Sequence, residues 1–304
     1  MQPFRSAAAL AAAACAAAAL LRCSADFEKQ SEIRKLRVLA VAAEPAELIV
    51  QPDAGSAPST TLTALAVEPS GAPIQTDFAL CAQQGQLPAP DYGCPGDAGI
   101  PLPPAGPQMA RLDLNDPRYR PVAAQLAAAL DGGADGGPDG GLAGAFSGGI
   151  PILLGLDATA PSPADGGQQL LRAFTTVPLR LANPNVPINH NPQLTALQSN
   201  GAPLAADGSS IFRAGAIVTL LPIPAPDAKE MTPAGPERLT YSFYATQGSL
   251  SALRSTDTTA TGEPGIASVD WTAPSLPGRV RFWVVVRDGR GGAGWLVRDV
   301  QVVP

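Results

Sequence analysis

The sequence predicts an all-β protein, two β-sandwich domains in tandem, the first enlarged by a long Pro/Gly-rich insertion that carries one short helix. Three observations predict it. The 304 residues include 33 Pro and 31 Gly, and only 15% are charged. Pro and Gly together are about a fifth of the chain against a usual ~12%, a balance that favours short strands joined by turns over long surface helices. At the C-terminus, Val280, Phe282, Val284 and Val286 alternate with Arg279, Arg281 and Arg287. That is the period of a half-buried strand with one oily and one largely polar face. Asp288-Gly289 then signals a turn and Trp295 to Val303 returns antiparallel. Finally, the strand pattern of the first half recurs in the second.

Composition also limits the chemistry. The formal net charge is −6, which argues against nucleic acid as a partner. His190 is the only histidine, and no HExxH, GxxxxGK[ST] or GxSxG sequence occurs, so no catalytic residue, metal or cofactor is expected. Gly289 to Gly294 does fit G-x-G-x-x-G after a strand. A dinucleotide site needs a helix opening at those glycines and an acid roughly 20 residues on. A β-rich run follows instead, so the glycines read as a hairpin turn.

Residues 1–22 read as a signal peptide and 23–34 as a tether. Arg5 precedes an uncharged Ala/Leu run from Ser6 to Leu21, short for a membrane span and apt for a secretory signal. Leu20-Leu21-Arg22-Cys23-Ser24 then leads into a polar stretch. A cysteine in that position resembles the lipobox of bacterial lipoproteins. The resemblance implies cleavage before Cys23, a diacylglycerol on its thiol and stable membrane anchoring by more than one chain. Leu20 matches the lipobox leucine, whereas Arg22 stands where a small residue is usual. Cys15, after Ala13-Ala14, is the alternative, although it leaves a very short apolar region. An ordinary signal or an uncleaved anchor is the bland reading. Lys29, Arg34, Lys35 and Arg37 alternate with Glu28 and Glu32, the pattern of a solvated tether.

The first domain is expected over 35–185. Lys35–Val41 is a strand ended by Glu44-Pro45, Leu48–Val50 a short apolar piece, and Thr60–Val67 a second strand. Ile74–Ala82 is a third, with Ile74, Thr76, Phe78 and Leu80 on one face. The insertion spans 83–149. Within it, Ala110–Leu114 is able to pair with the sheet, and Asn115-Asp116-Pro117 marks a helix start with a capping side chain and Pro at the first turn. The Ala-rich helix runs to Leu130 and ends at Asp131-Gly132-Gly133. Asp131, Asp135 and Asp139 recur every four residues, but the ligand order of a calcium loop is absent and a solvated loop is expected. Ile150–Leu156 and Leu170–Leu181 close the domain, and Asn183–Pro187 is a stiff connector.

The second domain is expected over 186–304, with strands at Gln193–Leu197, Ala214–Pro222, Leu239–Thr246, Ala267–Thr272, Val280–Arg287 and Trp295–Val303. Trp271, Trp283 and Trp295 lie on these strands as core or inter-sheet fillers. The repeat aligns Thr61–Val67 and Ile74–Leu80 with Ile217–Ile223 and Leu239–Ala245. Asn191-Pro-x-Leu194, Ala214-Gly-x-x-Val218-Thr-Leu, Leu239-Thr-Tyr-x-Phe243, Gly248-x-Leu250, Trp271-Thr-Ala-Pro274 and Val285-Val-x-Asp288-Gly-x-Gly-Gly carry a resemblance. Together they resemble bacterial immunoglobulin-like modules related to polycystic-kidney-disease and cadherin-like repeats. The resemblance implies two immunoglobulin-like sandwiches serving as spacer, adhesion unit or docking surface, without catalysis. Many such modules carry an acidic calcium turn. Here Asp227 and Glu230 stand almost alone at that place, and calcium is not carried over.

In an exported chain Cys81 and Cys94 are expected to pair as a structural disulfide. His190 is expected to be a polar linker residue. The functional expectation is a non-catalytic envelope lipoprotein, anchored by its lipid in the outer membrane, with a protein or cell-surface partner. One alternative is an accessory subunit docking through the 83–149 insertion. A lesser one is an enzyme whose site in that insertion gathers acids with Arg111, Arg118 or Arg120.

Overall fold

The computed structural model describes residues 29–51, 57–84, 91–132, 149–162, 166–233, 235–259 and 261–304. In the first half the strands are β1 (Arg37–Glu44), β2 (Leu48–Val50), β3 (Ser59–Val67), β4 (Gln75–Cys81), β5 (Gly99–Pro101), β6 (Pro104–Gly106), β7 (Met109–Asp113), β8 (Ile150–Pro161) and β9 (Gln168–Leu181). They form two facing sheets, ordered β1-β3-β7-β6 and β2-β9-β8-β4-β5. Glu44-Pro45 ends β1, and the chain crosses to the other sheet, where β2 runs parallel to the end of β9. Leu62, Phe78, Leu80, Leu112, Ile152, Leu154 and Leu179 fill the space between the sheets.

The insertion is partly integral to this sandwich. Its β7 lies inside the sheet, against β3 with Leu62 opposite Ala110. Asp116 caps the short turn Pro117–Tyr119, accepting from the Arg118 N–H at 2.9 Å. The helix α1 (Arg120–Gly132) follows and buries Val122 and Leu126 in the core. The Asp135 and Asp139 repeats lie outside the described residues.

In the second half the strands are β10 (Leu194–Ser199), β11 (Ala202–Pro203), β12 (Ile211–Arg213), β13 (Ile217–Pro224), β14 (Met231–Thr232), β15 (Gly235–Pro236), β16 (Thr240–Ala245), β17 (Ser249–Leu250), β18 (Arg254–Thr256), β19 (Val269–Thr272), β20 (Gly278–Arg287) and β21 (Ala293–Val303). The sheets are β11-β10-β13-β19-β17 and β12-β21-β20-β16-β18, with β14-β15 a separate small ribbon. The plan of the first sandwich recurs. β10 stands for β1, β13 for β3, β16 for β4, β20 and β21 for β8 and β9, and β12 again runs parallel to the last strand. At the core Trp271 meets Phe282 edge-on, ring centres 4.9 Å apart, and donates Nε1 to Gln247 O at 3.1 Å.

Ser31–Pro304 is one compact unit. The two sandwiches share a third apolar cluster, in which Leu39, Leu65 and Val67 of the first meet Trp283 and Val285 of the second, with Tyr244 and Trp295 at its edge. This corrects the reading of β20 as half polar. Its second face buries Trp283 (5% exposed) and Val285 (0%) against β1 and β3. Ahead of β1, Ile33 N donates to Ala245 O and Ala245 N to Ser31 O, both at 2.9 Å, so these residues extend the β16 edge.

Candidate functional site: the junction between the sandwiches

Beside the apolar seam lies a polar hub built from the link between the sandwiches. Glu47, in the β1–β2 connection, accepts Arg180 of β9 at two points, both 2.8 Å, and the Asn189 N–H at 2.7 Å. Burial works to raise the Glu47 pKa, but the Arg180 and Asn189 bonds outweigh it and hold the carboxyl below its usual range. Asn191 donates Nδ2 to Ala43 O at 2.6 Å and accepts from Ala293 N at 3.0 Å, tying β1 to β21.

Glu230 and Glu237 flank the β14–β15 ribbon, and the Glu230 N–H donates to Glu237 Oε2 at 3.0 Å. Arg290 reaches Glu237 at 2.7 Å but stands 3.9 Å from Glu230. The proton of this pair therefore belongs on Glu230. Burial, then the shared bond with Glu237, push Glu230 up to about 7 against the pull of His190. Despite burial, bonds from Glu230 and Arg290 hold Glu237 low. His190 Nδ1 lies 2.9 Å from Glu230 Oε1 with most of its ring in solvent, which makes it a partner in the hub beyond the linker role expected. Burial also raises Asp288, whose Oδ1 accepts the N–H groups of Arg290 and Gly292.

The hub explains the glycine run. A Cβ on Gly292 would lie 2.9 Å from His190 O, one on Gly294 2.0 Å from Pro192 O, and one on Gly291 2.9 Å from Pro178 of the first sandwich. Two of these contacts are with the linker backbone, which crosses directly over the turn. The glycines make room for protein rather than for a dinucleotide.

Cys81 and Cys94 are joined, with Cα atoms 5.2 Å apart. The bridge pins the loop Asp91–Cys94 over the outer face of β8 and β9, where Tyr92 stacks near-parallel on Phe174 at 6.2 Å. Arg172 pairs there with Asp91 and lies 3.7 Å from Asp157. Cys15 and Cys23 fall outside the described residues. Arg118 is bound to Asp116 at 2.6 Å, and Arg111 lies 3.9 Å from Asp113 and 3.4 Å from Ser59; each is satisfied locally rather than gathered at a site. Among the described residues no group of three or more His, Cys, Asp or Glu is placed to hold a metal ion. No described helix is long and apolar enough to cross a membrane.

The strand order defines the class: an all-β protein of tandem immunoglobulin-like sandwiches. No family profile matches the chain and no curated protein does. Solved structures with some likeness include a nucleoside hydrolase-related hypothetical protein from Saccharophagus degradans, at 20% identity, TM-score 0.25, over 38% of this chain and 26% of that one. The D00-D0 domain of intimin gives 11% identity and TM-score 0.24, over 87% of this chain and all of its own. The N-terminal Ig1-2 module of the Drosophila receptor protein tyrosine phosphatase DLAR gives 12% and 0.25, over 89% and 100%. Likenesses this distant carry no argument about activity or partner.

Proposed function

We propose that this chain is a non-catalytic, exported module of a bacterial envelope, lipid-anchored through Cys23, that holds two fused sandwiches at a set distance from the membrane and offers them to a protein or cell-surface partner. The observation that carries the reading is the seam. A run of beads on a flexible string needs no buried Trp283 and Val285 between its modules, whereas a spacer of fixed geometry does. Intact-mass analysis of the membrane fraction tests the anchor. A chain beginning at Cys23 with acyl mass supports it, and a soluble unacylated chain overturns it. Spin labels placed on exposed sites of each sandwich test the spacer. A single narrow distance is expected, and a broad distribution overturns it.

A second reading, docking of an envelope complex through the start of the 83–149 insertion, is favoured by Tyr92. This residue is 59% exposed with φ of 65°, a strained backbone for a non-glycine, and is held there by the disulfide loop. Crosslinked pull-down with the natural chain and with Tyr92→Ser tests it. Loss of a stoichiometric partner in the variant supports docking at this loop, and an unchanged partner list overturns it.

A further inference from the structure

A cleft of about 400 Å³ opens between the sandwiches. One wall is β1 from Val38 to Val41, the other is β9 from Ala173 to Thr176, and Arg287 with the glycine turn closes it. Both walls are open strand edges. β1 ends its sheet, with only β3 beside it. On the other wall, β2 covers β9 only from Leu179 to Leu181, so Ala173–Thr176 has no neighbour on that side.

The backbone of β1 points into this opening. Val41 stands opposite Ala64, whose own N–H turns away to Gln108 O at 2.9 Å. In an antiparallel pair both groups of a residue face the same side, so the Val41 N–H and C=O face away from β3. Two residues on, Ala43 O confirms the direction by accepting Asn191 from that side. Arg287 supplies a charge. Its Nη2 donates to Leu39 O at 2.7 Å, and it pairs with no carboxylate among the described residues. Burial draws its pKa down, yet a guanidinium stays cationic at any physiological pH. A largely buried cation without a counter-ion, set beside the unpaired N–H and C=O of Val41, is complementary to an extended acidic segment.

We propose that the cleft takes an extended, carboxylate-bearing peptide segment of a partner, which pairs with the free N–H and C=O of Val41 on β1 and sets its carboxylate against Arg287. This goes beyond the spacer reading and does not depend on the lipid anchor.

The test uses the full chain and a random nine-residue peptide library with free C-termini. The tightest binder is then resynthesised with each carboxylate neutralised in turn, as amide, Asn or Gln. Protection of the Val41 amide from hydrogen exchange is expected on binding, together with at least a tenfold loss of affinity when one particular carboxylate is neutralised. Arg287→Gln should erase that discrimination and Arg287→Lys should keep part of it. Val41→Pro removes an N–H that β3 does not use but trims a side chain at the edge of the core, so it should abolish binding while the chain still unfolds cooperatively at a modestly lower melting temperature, and Val41→Ala, which keeps the N–H, should bind. Failure of the library to yield a binder, protection elsewhere than β1, or equal affinity of acid and neutral peptides would overturn the proposal. Acetate competing as well as the peptide would reduce the cleft to an anion site and also overturn it.

Discussion

Arg180 and Glu47 lie 133 residues apart in sequence and meet at two points, each 2.8 Å, in an ion pair whose carboxylate is 3% exposed. The pair does more than join β9 to the β1–β2 connection. Glu47 also takes the Asn189 N–H, so the same carboxylate fixes where the linker begins. Removing one partner strands a buried charge. Glu47→Ala and Arg180→Ala should each lower unfolding free energy by about 3–5 kcal/mol in urea titrations, and replacing both by apolar residues of similar volume should lose much less.

Trp283 and Trp271 are both buried but in different places, one in the seam and one in the second core. Truncating either to Ala should cost about 3–5 kcal/mol. Their signatures differ. Trp271→Ala should weaken the second sandwich itself. Trp283→Ala should uncouple the two sandwiches, so that a single calorimetric transition divides into two.

The glycine turn predicts a ranking. Gly289 has φ of 82° and open space around it, so Gly289→Ala should lose only the conformational term, about 1–2 kcal/mol. At Gly294 a Cβ would sit 2.0 Å from Pro192 O, a backbone atom that cannot swing aside. Gly294→Ala should therefore destabilise by several-fold more, read as the shift in denaturation midpoint.

Glu230 gives the junction a pH dependence. Its folded value of about 7 lies above the usual 4.5, so the folded state holds a proton that the unfolded state releases. That stabilisation is complete below about 4.5 and is lost as pH rises through 7. It amounts to roughly 3 kcal/mol as an upper bound. The melting temperature should fall between pH 5 and 8, and Glu230→Gln, which stays neutral, should flatten the profile over that window.

The Cys81–Cys94 bridge closes a loop of sequence separation 13, worth roughly 3 kcal/mol in the loop-entropy account. The double Cys→Ala chain should lose about that much, and the Tyr92 side chain should lose its order on Phe174. Near-ultraviolet circular dichroism would register the second effect even where the first is small.

Much of the fold was legible because strands announce themselves locally. The Ile217–Ile223 alternation matches β13, and Asp116-Pro117 marks the start of the short turn that leads into α1. The capping side chain and the period need only a few neighbouring residues to be seen. The integral role of β7 was half visible, because Ala110–Leu114 alternates but lies in a Pro-rich stretch. The seam was missed for a different reason. The arginines around Val280 to Val286 give that strand a polar face on paper, yet Phe282-Trp-Val-Val-Val286 is a continuous apolar run of the kind that strands buried on both faces show. The hub had no such signal. Glu47 with Arg180, and Asn191 with Ala43, are contacts between single residues 133 and 148 positions apart, and neither forms a spaced motif.

The clamp of Ser31 and Ile33 on Ala245 determines how tension travels through the molecule. A pull at Ser31 meets its first resistance in the second sandwich, where two 2.9 Å bonds and the buried Ile33 hold the chain to β16. From β16 the load passes to β20 and β21, registered from Gly278 opposite Val302 to Arg287 opposite Ala293. The first sandwich hangs on this path as a closed bight on a rope, folded between two fixed points and spared the strain. While the clamp holds, stretching the chain end to end loads the second sandwich alone.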